Sequence, residues 1–406
     1  MFPGPLPSRS IGEGHAVIAA RTTENVESDD SAGLGEQLSV ALESAKSFSF
    51  LRLGDGELRY LLEMQQGEWQ DAKYSTDNLS PSCEIATGTL GLEVGDYPRL
   101  LASYEQCDAL DFYAWLPYNS SRLGQLRWNR RPDGLSLPEI KGHGIVNYWT
   151  GFAWGRYAAR HRCLICGAEG ALQEQLLADP EYRRIAAGFW PAGAEIFFLH
   201  PPDRGRRPSA HLDQLKAALA QSISRHNIDT VLICLGGPAK ILCHELAREC
   251  GVRAVDWGSM LRALTYSGTD GNSTWRSSHN PFFFRVPLNV YMPALERAFP
   301  EMSVAERTAR AHGQLCLELQ RHVFAATLPT DVHDPASFDD SPGNRQAFAD
   351  SYCYYVRHVL PLTRGNPAAR ALVAEMDYWL LKKGIGWRGR IFRALVRLKG
   401  ALGLSR

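Results

Sequence analysis

The feature that most constrains this chain is the alternation of short apolar runs with amphipathic helical patterns. Runs rich in β-branched and aromatic residues occur in SFSFLRL, RCLICGA, AEIFFLHPP, DTVLICLGG and VRAVDWGS. A short apolar run of this kind is typical of a strand buried on both faces, as in a parallel sheet covered by helices. The sequence therefore predicts an α/β fold with a Rossmann-like, doubly wound, mostly parallel sheet.

Changes in composition divide the chain into three parts. Residues 1–34 are rich in Gly, Pro, Ser and acids, so they offer little to bury and are predicted to form a disordered tail. Residues 35–289 carry the alternation and form the predicted α/β domain. Residues 290–406 are predicted to be a helical extension, in which Ser303 and Glu306 have the spacing of a helix capping box.

The composition argues against several classes of protein. Lys plus Arg and Asp plus Glu are both 44, so no nucleic-acid partner is predicted. The nine cysteines have no framework spacing, and Cys163 and Cys166 lie in an apolar run that predicts core packing. The N-terminus lacks a secretory pattern and no apolar run reaches the length of a membrane span. The protein is therefore predicted to be cytoplasmic.

The C-terminal segment 385–406 is basic and amphipathic. Ile391, Leu395 and Leu398 recur at helical spacing, whereas arginines follow another face. This pattern fits a helix that binds peripherally to an anionic membrane, which would place the protein at the inner face of the membrane. It fits equally a helix that packs on its neighbours, and the sequence leaves both alternatives open.

Two carboxylates, Asp55 and Glu57, follow the first strand-like run in the turn GDGE. In an extended turn residues two apart point to one side, so both could face one cation. Mg²⁺ and Mn²⁺ take carboxylate oxygens and bridge to phosphates, and open α/β sheets bind ligands at the carboxyl ends of their strands. The alternative is a turn followed by a helix N-terminal charge. A second Asp-x-Glu pair, Asp179 and Glu181, is predicted to be an ordinary solvated turn.

The segment FLRLGDGEL resembles the Arg-x-Gly-Asp-Gly-Glu signature of the GT-D-type glycosyltransferases. Further blocks that resemble this family follow in the family's order, over roughly residues 45–270: CLICGAEG, HPPDRGRRPSAHLDQL, VLICLGGPAKILCHELA and VRAVDWGSM. Two positions depart from the family pattern. Ser259 stands where the family usually has His, and Gly237 interrupts its Gly-Pro-Thr-Ala.

The resemblance implies a fold of GT-D type and a divalent cation, Mn²⁺ or Mg²⁺, held by Asp55 and Glu57. That cation would bind the diphosphate of a nucleotide-sugar donor. The implied reaction transfers the sugar to a hydroxyl of a glycan, lipid-linked or protein-linked acceptor. Inversion or retention, the sugar, the nucleotide and the oligomeric state are not determined by the sequence.

Two glycine-containing segments are candidates for binding the donor. In the signature itself, Arg52 could bind phosphate or pair with the carboxylates, and Gly54 and Gly56 would let the backbone approach the ligand. In the second segment, Gly236 and Gly237 lie between a strand and a helix, with Lys240 one turn in. This arrangement fits a diphosphate cradle at a helix N-terminus, or simply a tight turn with a solvated lysine.

Two further acids follow other predicted strands. Glu169 comes after RCLICGA and Asp256 ends the strand VRAVD, so each would lie at the same edge of the sheet as Asp55. Either could act as the catalytic base towards the acceptor hydroxyl. The alternative for both is an acid at a helix N-terminus that complements the helix dipole.

Two other functions are weighed against glycosyl transfer. A non-catalytic nucleotide-binding or scaffold protein with an altered site would account for Ser259. A dinucleotide-dependent oxidoreductase would suit the same fold class, but no Gly-x-Gly-x-x-Gly opens a helix after any predicted strand. The intact Asp55 and Glu57 favour the glycosyltransferase.

Overall fold

A computed structural model of the chain describes residues 31–67, 91–112, 123–127, 145–201, 211–258, 260–265, 286–324, 349–363 and 365–382, together with Ile391 and Ala394. A few side chains inside these ranges, that of Asp55 among them, lie outside the description.

Six strands within these residues form one all-parallel sheet with the order β2-β1-β6-β5-β3-β4. They are β1 (Phe48–Leu53), β2 (Ala109–Phe112), β3 (Cys163–Gly167), β4 (Ile196–Leu199), β5 (Thr230–Cys234) and β6 (Arg253–Asp256). Parallel neighbours need crossover connections, which the helices between them supply. The predicted α/β class with a parallel, Rossmann-like sheet is confirmed.

Helices alternate with the strands along the chain. They are α1 (Ser31–Glu43), α2 (Asp55–Gln66), α3 (Tyr97–Gln106), α4 (Ile145–Tyr148), α5 (Trp154–Ala158), α6 (Gly170–Ala178), α7 (Pro180–Ile185), α8 (Leu212–His226), α9 (Gly237–Cys250) and α10 (Met260–Leu264). A π-helical turn, Trp149–Ala153, joins α4 to α5. Because β1, β5 and β6 lie side by side, the loops and helices that follow them meet at one edge of the sheet.

The central strands form the core of the sheet. Strand β3 is buried along its whole length, and Cys163 and Cys166 within it have no exposed surface. Burial raises the pKa of both thiols, so they stay protonated and unreactive. The prediction that this Cys-x-x-Cys pair packs in the core is confirmed.

Strand β2 is an addition that the sequence pattern does not predict. Its four residues, ALDF, include an acid and are too short to show a period. It is held by parallel pairing along β1, with Phe50 opposite Ala109 and Arg52 opposite Asp111. Tertiary pairing therefore overrides a weak local signal at this position.

Contacts divide the chain into two compact units. The first comprises residues 1–171 and 187–262 and holds the sheet, and the second comprises residues 172–186 and 263–406. The boundary thus falls at 262/263, whereas composition places it at 289/290. The second unit contains most of α6, all of α7, and the helices α11 (Leu288–Ala298), α12 (Val304–Phe324) and α13 (Pro367–Lys382).

Two local features of the second unit bear on the sequence predictions. The capping box before α12 is confirmed, because the Ser303 backbone N–H donates to Glu306 Oε2 (2.9 Å) and the Glu306 N–H donates to Ser303 Oγ (3.2 Å). The predicted amphipathic segment 385–406 lies outside the described residues, apart from Ile391 and Ala394. Among the described residues, no helix is both long enough and apolar enough to cross a bilayer.

Helix α1 begins at Ser31, so residues 31–34 are helical and their prediction as part of a tail is wrong. Residues 1–30 lie outside the described residues. Leu38, Ala41 and Leu42 of α1 are fully buried, and Trp149 Nε1 donates to Ser39 Oγ at 3.0 Å. The helix therefore begins four residues before the boundary at 34/35 that composition predicts.

We predict that removal of residues 1–30 changes the melting temperature by less than about 2 °C. Removal of residues 1–43 should lower it by more than about 5 °C, since three buried apolar side chains and a buried hydrogen bond are lost with α1. Thermal melts of the two truncated proteins test this. A large drop for the shorter deletion would contradict the composition argument.

Candidate functional site

The predicted acidic pair lies at the start of α2, directly after β1. The helix begins at Asp55, with Gly54 as an extended N-cap residue (φ −88°, ψ 173°). The premise that Asp55 and Glu57 sit in an extended turn is therefore wrong, because both belong to the first helical turn. The side chain of Asp55 lies outside the description, so shared binding of one cation by this pair stays a prediction.

Lys240 joins two of the predicted acids. Its Nζ lies 2.6 Å from Glu57 Oε1 and 3.0 Å from Asp256 Oδ2. The same ammonium donates to the Gly236 carbonyl oxygen at 3.1 Å. These residues come from the start of α2, the end of β6 and the first turns of α9, which follow three adjacent strands. We call Glu57, Lys240, Asp256 and Arg52 the charged cluster.

The charged cluster is buried. Side-chain exposure is 3% for Lys240, 0% for Asp256, 11% for Glu57 and 18% for Arg52. Two carboxylates and two cations balance, so the four groups carry no net charge. Charges removed from water are tolerated only when they are paired in this way, and removing one partner of a buried pair costs about 3–5 kcal/mol.

The electrostatic surroundings keep Lys240 charged. Burial alone would lower the pKa of Lys240, but the carboxylates of Asp256 and Glu57 raise it, and the net pKa is above its usual value. The ammonium therefore persists throughout the physiological pH range.

Arg52 extends the charged cluster towards β2. Its Nε lies 3.7 Å from Asp256 Oδ2, and its carbonyl oxygen accepts a hydrogen bond from the Tyr104 hydroxyl at 3.1 Å. Burial, followed by the charges of Glu57 and Asp256, raises the pKa of Tyr104 well above its usual value. Tyr104 thus acts as a neutral hydrogen-bond donor that fixes the end of β1.

Asp111 is a fifth buried ionisable group at this edge, and the sequence prediction did not include it. It stands opposite Arg52 in the β1–β2 register, is 1% exposed, and accepts the Ile145 N–H at 3.0 Å through Oδ2. Burial raises its pKa to about 6, against the opposing effects of Arg52 and the Ile145 N–H. The only feature of the sequence that could have pointed to Asp111 is the presence of an acid inside a short, otherwise apolar segment.

We predict that Asp111→Asn gains stability relative to the wild type when the pH is raised from 4.5 to 7.5. Because the folded pKa of Asp111 exceeds its unfolded value, the wild type loses stability as the pH rises between the two, whereas Asn does not titrate. The difference between the two proteins in the free energy of unfolding should change by roughly 2 kcal/mol over this range. Urea unfolding of both proteins at the two pH values tests this, and a pH-independent difference would contradict it.

Glu169 follows a different strand from the residues of the charged cluster. It follows β3 and precedes α6, and it is 7% exposed. It shares the carboxyl edge of the sheet, as predicted, but strands β5 and β6 stand between β3 and β1. Ser259 lies outside the described residues.

The three remaining predicted glycines have defined places. Gly56 is buried in the first turn of α2, Gly236 is the N-cap residue of α9, and Gly237 is the first residue of that helix. The predicted tight turn between a strand and a helix is therefore present. Whether it binds a diphosphate stays a prediction.

The second Asp-x-Glu pair is a helix cap. The Asp179 carboxylate accepts the N–H groups of Glu181 (2.8 Å) and Tyr182 (3.1 Å) at the start of α7. Glu181 pairs with Arg184 one turn later. Glu181 is exposed and Asp179 is half-buried, and both are structural, so the pair is an ordered helix cap and not a solvated turn.

The chemistry of Glu57 fits a hard divalent cation. Its Oε1 contacts Lys240, and its Oε2 lies against Gly54, where a β-carbon would approach it to 2.6 Å. Glycine at position 54 therefore keeps the space beside this oxygen open. Among the described side chains, no three His, Cys, Asp or Glu residues group closely enough to hold a metal ion. Asp55, the other predicted ligand, is not among those side chains.

Comparisons of the chain with protein-family models, with curated proteins and with solved structures find no match. The resemblance to the GT-D-type glycosyltransferases therefore stays a prediction that rests on the sequence blocks.

Proposed function

We propose that this chain is a metal-dependent glycosyltransferase that moves a sugar from a nucleotide-sugar donor to a hydroxyl of an acceptor. The observation that carries the proposal is the charged cluster. Glu57, Lys240 and Asp256 come from three of the sequence blocks that resemble the GT-D type, and the Lys240 ammonium lies within 3.0 Å of both carboxylates. Ligands of open α/β sheets bind at this carboxyl edge.

Glu57, together with Asp55, would hold the divalent cation through carboxylate oxygens. The cation would neutralise charge that develops on the departing nucleotide diphosphate. Arg52 and the N-terminus of α9 at Gly236 and Gly237 would add positive potential on the same side of the sheet. Stabilisation of the leaving group is then the main catalytic contribution of these residues.

The two candidate bases differ in their surroundings. Asp256 has no exposed surface, and its oxygens face Lys240 and the Gly258 N–H (3.0 Å). We therefore assign Asp256 the role of holding Lys240 and Arg52 in place. Glu169, at the end of β3, is our candidate for the base that accepts the proton of the acceptor hydroxyl. The acceptor belongs to a glycan, a lipid-linked sugar or a protein.

The test is a panel of nucleotide sugars, assayed with Mn²⁺ and with a chelator. The correct donor should raise the melting temperature only with the metal, because binding to the folded state at about 100 times Kd adds roughly 2.7 kcal/mol of stability. The same donor should be hydrolysed slowly in the absence of acceptor. Stabilisation without turnover would favour a nucleotide-binding scaffold. Failure of every donor to stabilise or react would overturn the proposal.

A further inference from the structure

The starting point is the hydrogen bonding of Lys240. A lysine ammonium has three N–H donors and no acceptor. The Lys240 ammonium donates to the Gly236 carbonyl oxygen (3.1 Å) and forms ion pairs with Glu57 Oε1 (2.6 Å) and Asp256 Oδ2 (3.0 Å). The side chain is only 3% exposed. The contacts of Lys240 are therefore made within the protein, and a direct contact with a diphosphate would require one of them to break.

We propose that Lys240 is the internal counter-ion of the acidic site. Together with Arg52 it offsets the charges of Glu57 and Asp256, and it lowers the affinity of the site for a free divalent cation. This inference rests on the proposed function in taking Glu57 as a ligand of the cation. An ammonium 2.6 Å from one oxygen of Glu57 repels a second cation that approaches the other oxygen.

The position of Lys240 gives the consequence for the order of binding. A free divalent cation at Glu57 would lie beside the Lys240 ammonium, which repels it. A nucleotide diphosphate brings negative charge that offsets this repulsion. The cation therefore binds more tightly together with the diphosphate than ahead of it.

Replacement of Lys240 changes the affinity for the cation in opposite directions for two possible roles, a counter-ion and a residue that only orients Glu57. If Lys240 served only to orient Glu57 for the metal, its removal would weaken cation binding. As a counter-ion, Lys240 opposes the cation, and its removal strengthens cation binding. The comparison of Lys240→Met with the wild type thus gives opposite results for the two roles.

The experiment measures the binding of Mn²⁺ alone, by the electron paramagnetic resonance signal of the free ion. We expect Lys240→Met to bind Mn²⁺ at least tenfold more tightly than the wild type, which corresponds to about 1.4 kcal/mol. In chelator the variant should melt at a lower temperature, because two buried carboxylates lose their partner. Added Mn²⁺ should then raise its melting temperature more than that of the wild type.

Lys216→Met is the matched control. Lys216 also pairs with two carboxylates, Glu245 and Glu249, each at 3.0 Å, but it lies on α8 and is 24% exposed. Its removal should leave the affinity for Mn²⁺ unchanged. If Lys240→Met does not fold, Lys240→Gln replaces it, since glutamine keeps N–H donors and loses the charge.

Equal or weaker Mn²⁺ binding by the Lys240 variant, or no detectable binding by either protein, would overturn the inference. A tenfold gain that Lys216→Met shares would overturn it as well. The proposed function fails by a different result, namely the absence of donor hydrolysis by the wild type with Mn²⁺. The two failures are therefore distinguishable.

Discussion

Asp55→Asn and Glu57→Gln should each lower metal-dependent sugar transfer by roughly 10³-fold or more. Each change removes one negative charge from the proposed cation site with little change in volume, and stabilisation of charge by a metal ion is worth several kcal/mol. Glu57→Gln should also lower the melting temperature, because Lys240 loses an ionised partner 2.6 Å away. Initial rates at saturating donor, measured over a range of Mn²⁺ concentrations, test the prediction.

The chain provides its own control for this experiment. Asp179→Asn with Glu181→Gln makes the same changes in the second Asp-x-Glu pair, which caps α7 and contacts Arg184. This variant should keep its transfer rate and lose only a small part of its stability. Near-wild-type rates for both Asp55→Asn and Glu57→Gln at limiting metal would contradict the assignment of the cation site.

Gly258→Ala should disrupt the charged cluster by displacing Arg52. Gly258 has a left-handed backbone (φ 58°), and a β-carbon there would overlap a guanidinium nitrogen of Arg52. The guanidinium must therefore move away from Asp256. We expect donor-dependent kcat/KM to fall by about 10- to 100-fold, since a hydrogen bond or pair to a charged group is worth roughly 1.5–3 kcal/mol.

Gly251→Ala separates the backbone effect from the displacement of Arg52. Gly251 also has a positive φ (68°), but nothing lies within 4 Å of a β-carbon there. Both variants should lose roughly 1–2 kcal/mol of stability from the left-handed conformation. Only Gly258→Ala should lose activity, as kinetics and urea unfolding of the two variants would show. Equal loss of activity in both would remove Arg52 from the site.

The fold class could be predicted from the sequence because hydrophobic periodicity is a local property of the chain. Strands β1, β3, β4, β5 and β6 all coincide with apolar runs in the sequence, and the helices between them show their own patterns. The same logic placed Glu57, Glu169 and Asp256 at the carboxyl edge, where the structure has them. Strand β2 was missed because four residues containing an acid carry no period.

The geometry of Asp55 and Glu57 could not be predicted from the sequence. The glycines of GDGE favoured a turn, but α2 starts at Asp55 without an extended residue between the two acids. Glycine is tolerated in the first turn because the helix is held there by burial of Gly56, Glu57 and Leu58 on the core side. Propensity at a helix start is a weak signal beside tertiary packing.

By itself, then, the sequence determined the elements, the parallel class of the sheet and the edge at which polar side chains gather. The order of the strands was decided by the tertiary structure, and that order puts β6 between β1 and β5. This neighbourhood brings Lys240 to Glu57 and Asp256, and the pairing of β2 with the other edge of β1 brings Asp111 opposite Arg52. These charges, which are far apart in the sequence, are paired in the fold because a buried charge without a partner would be strongly destabilising.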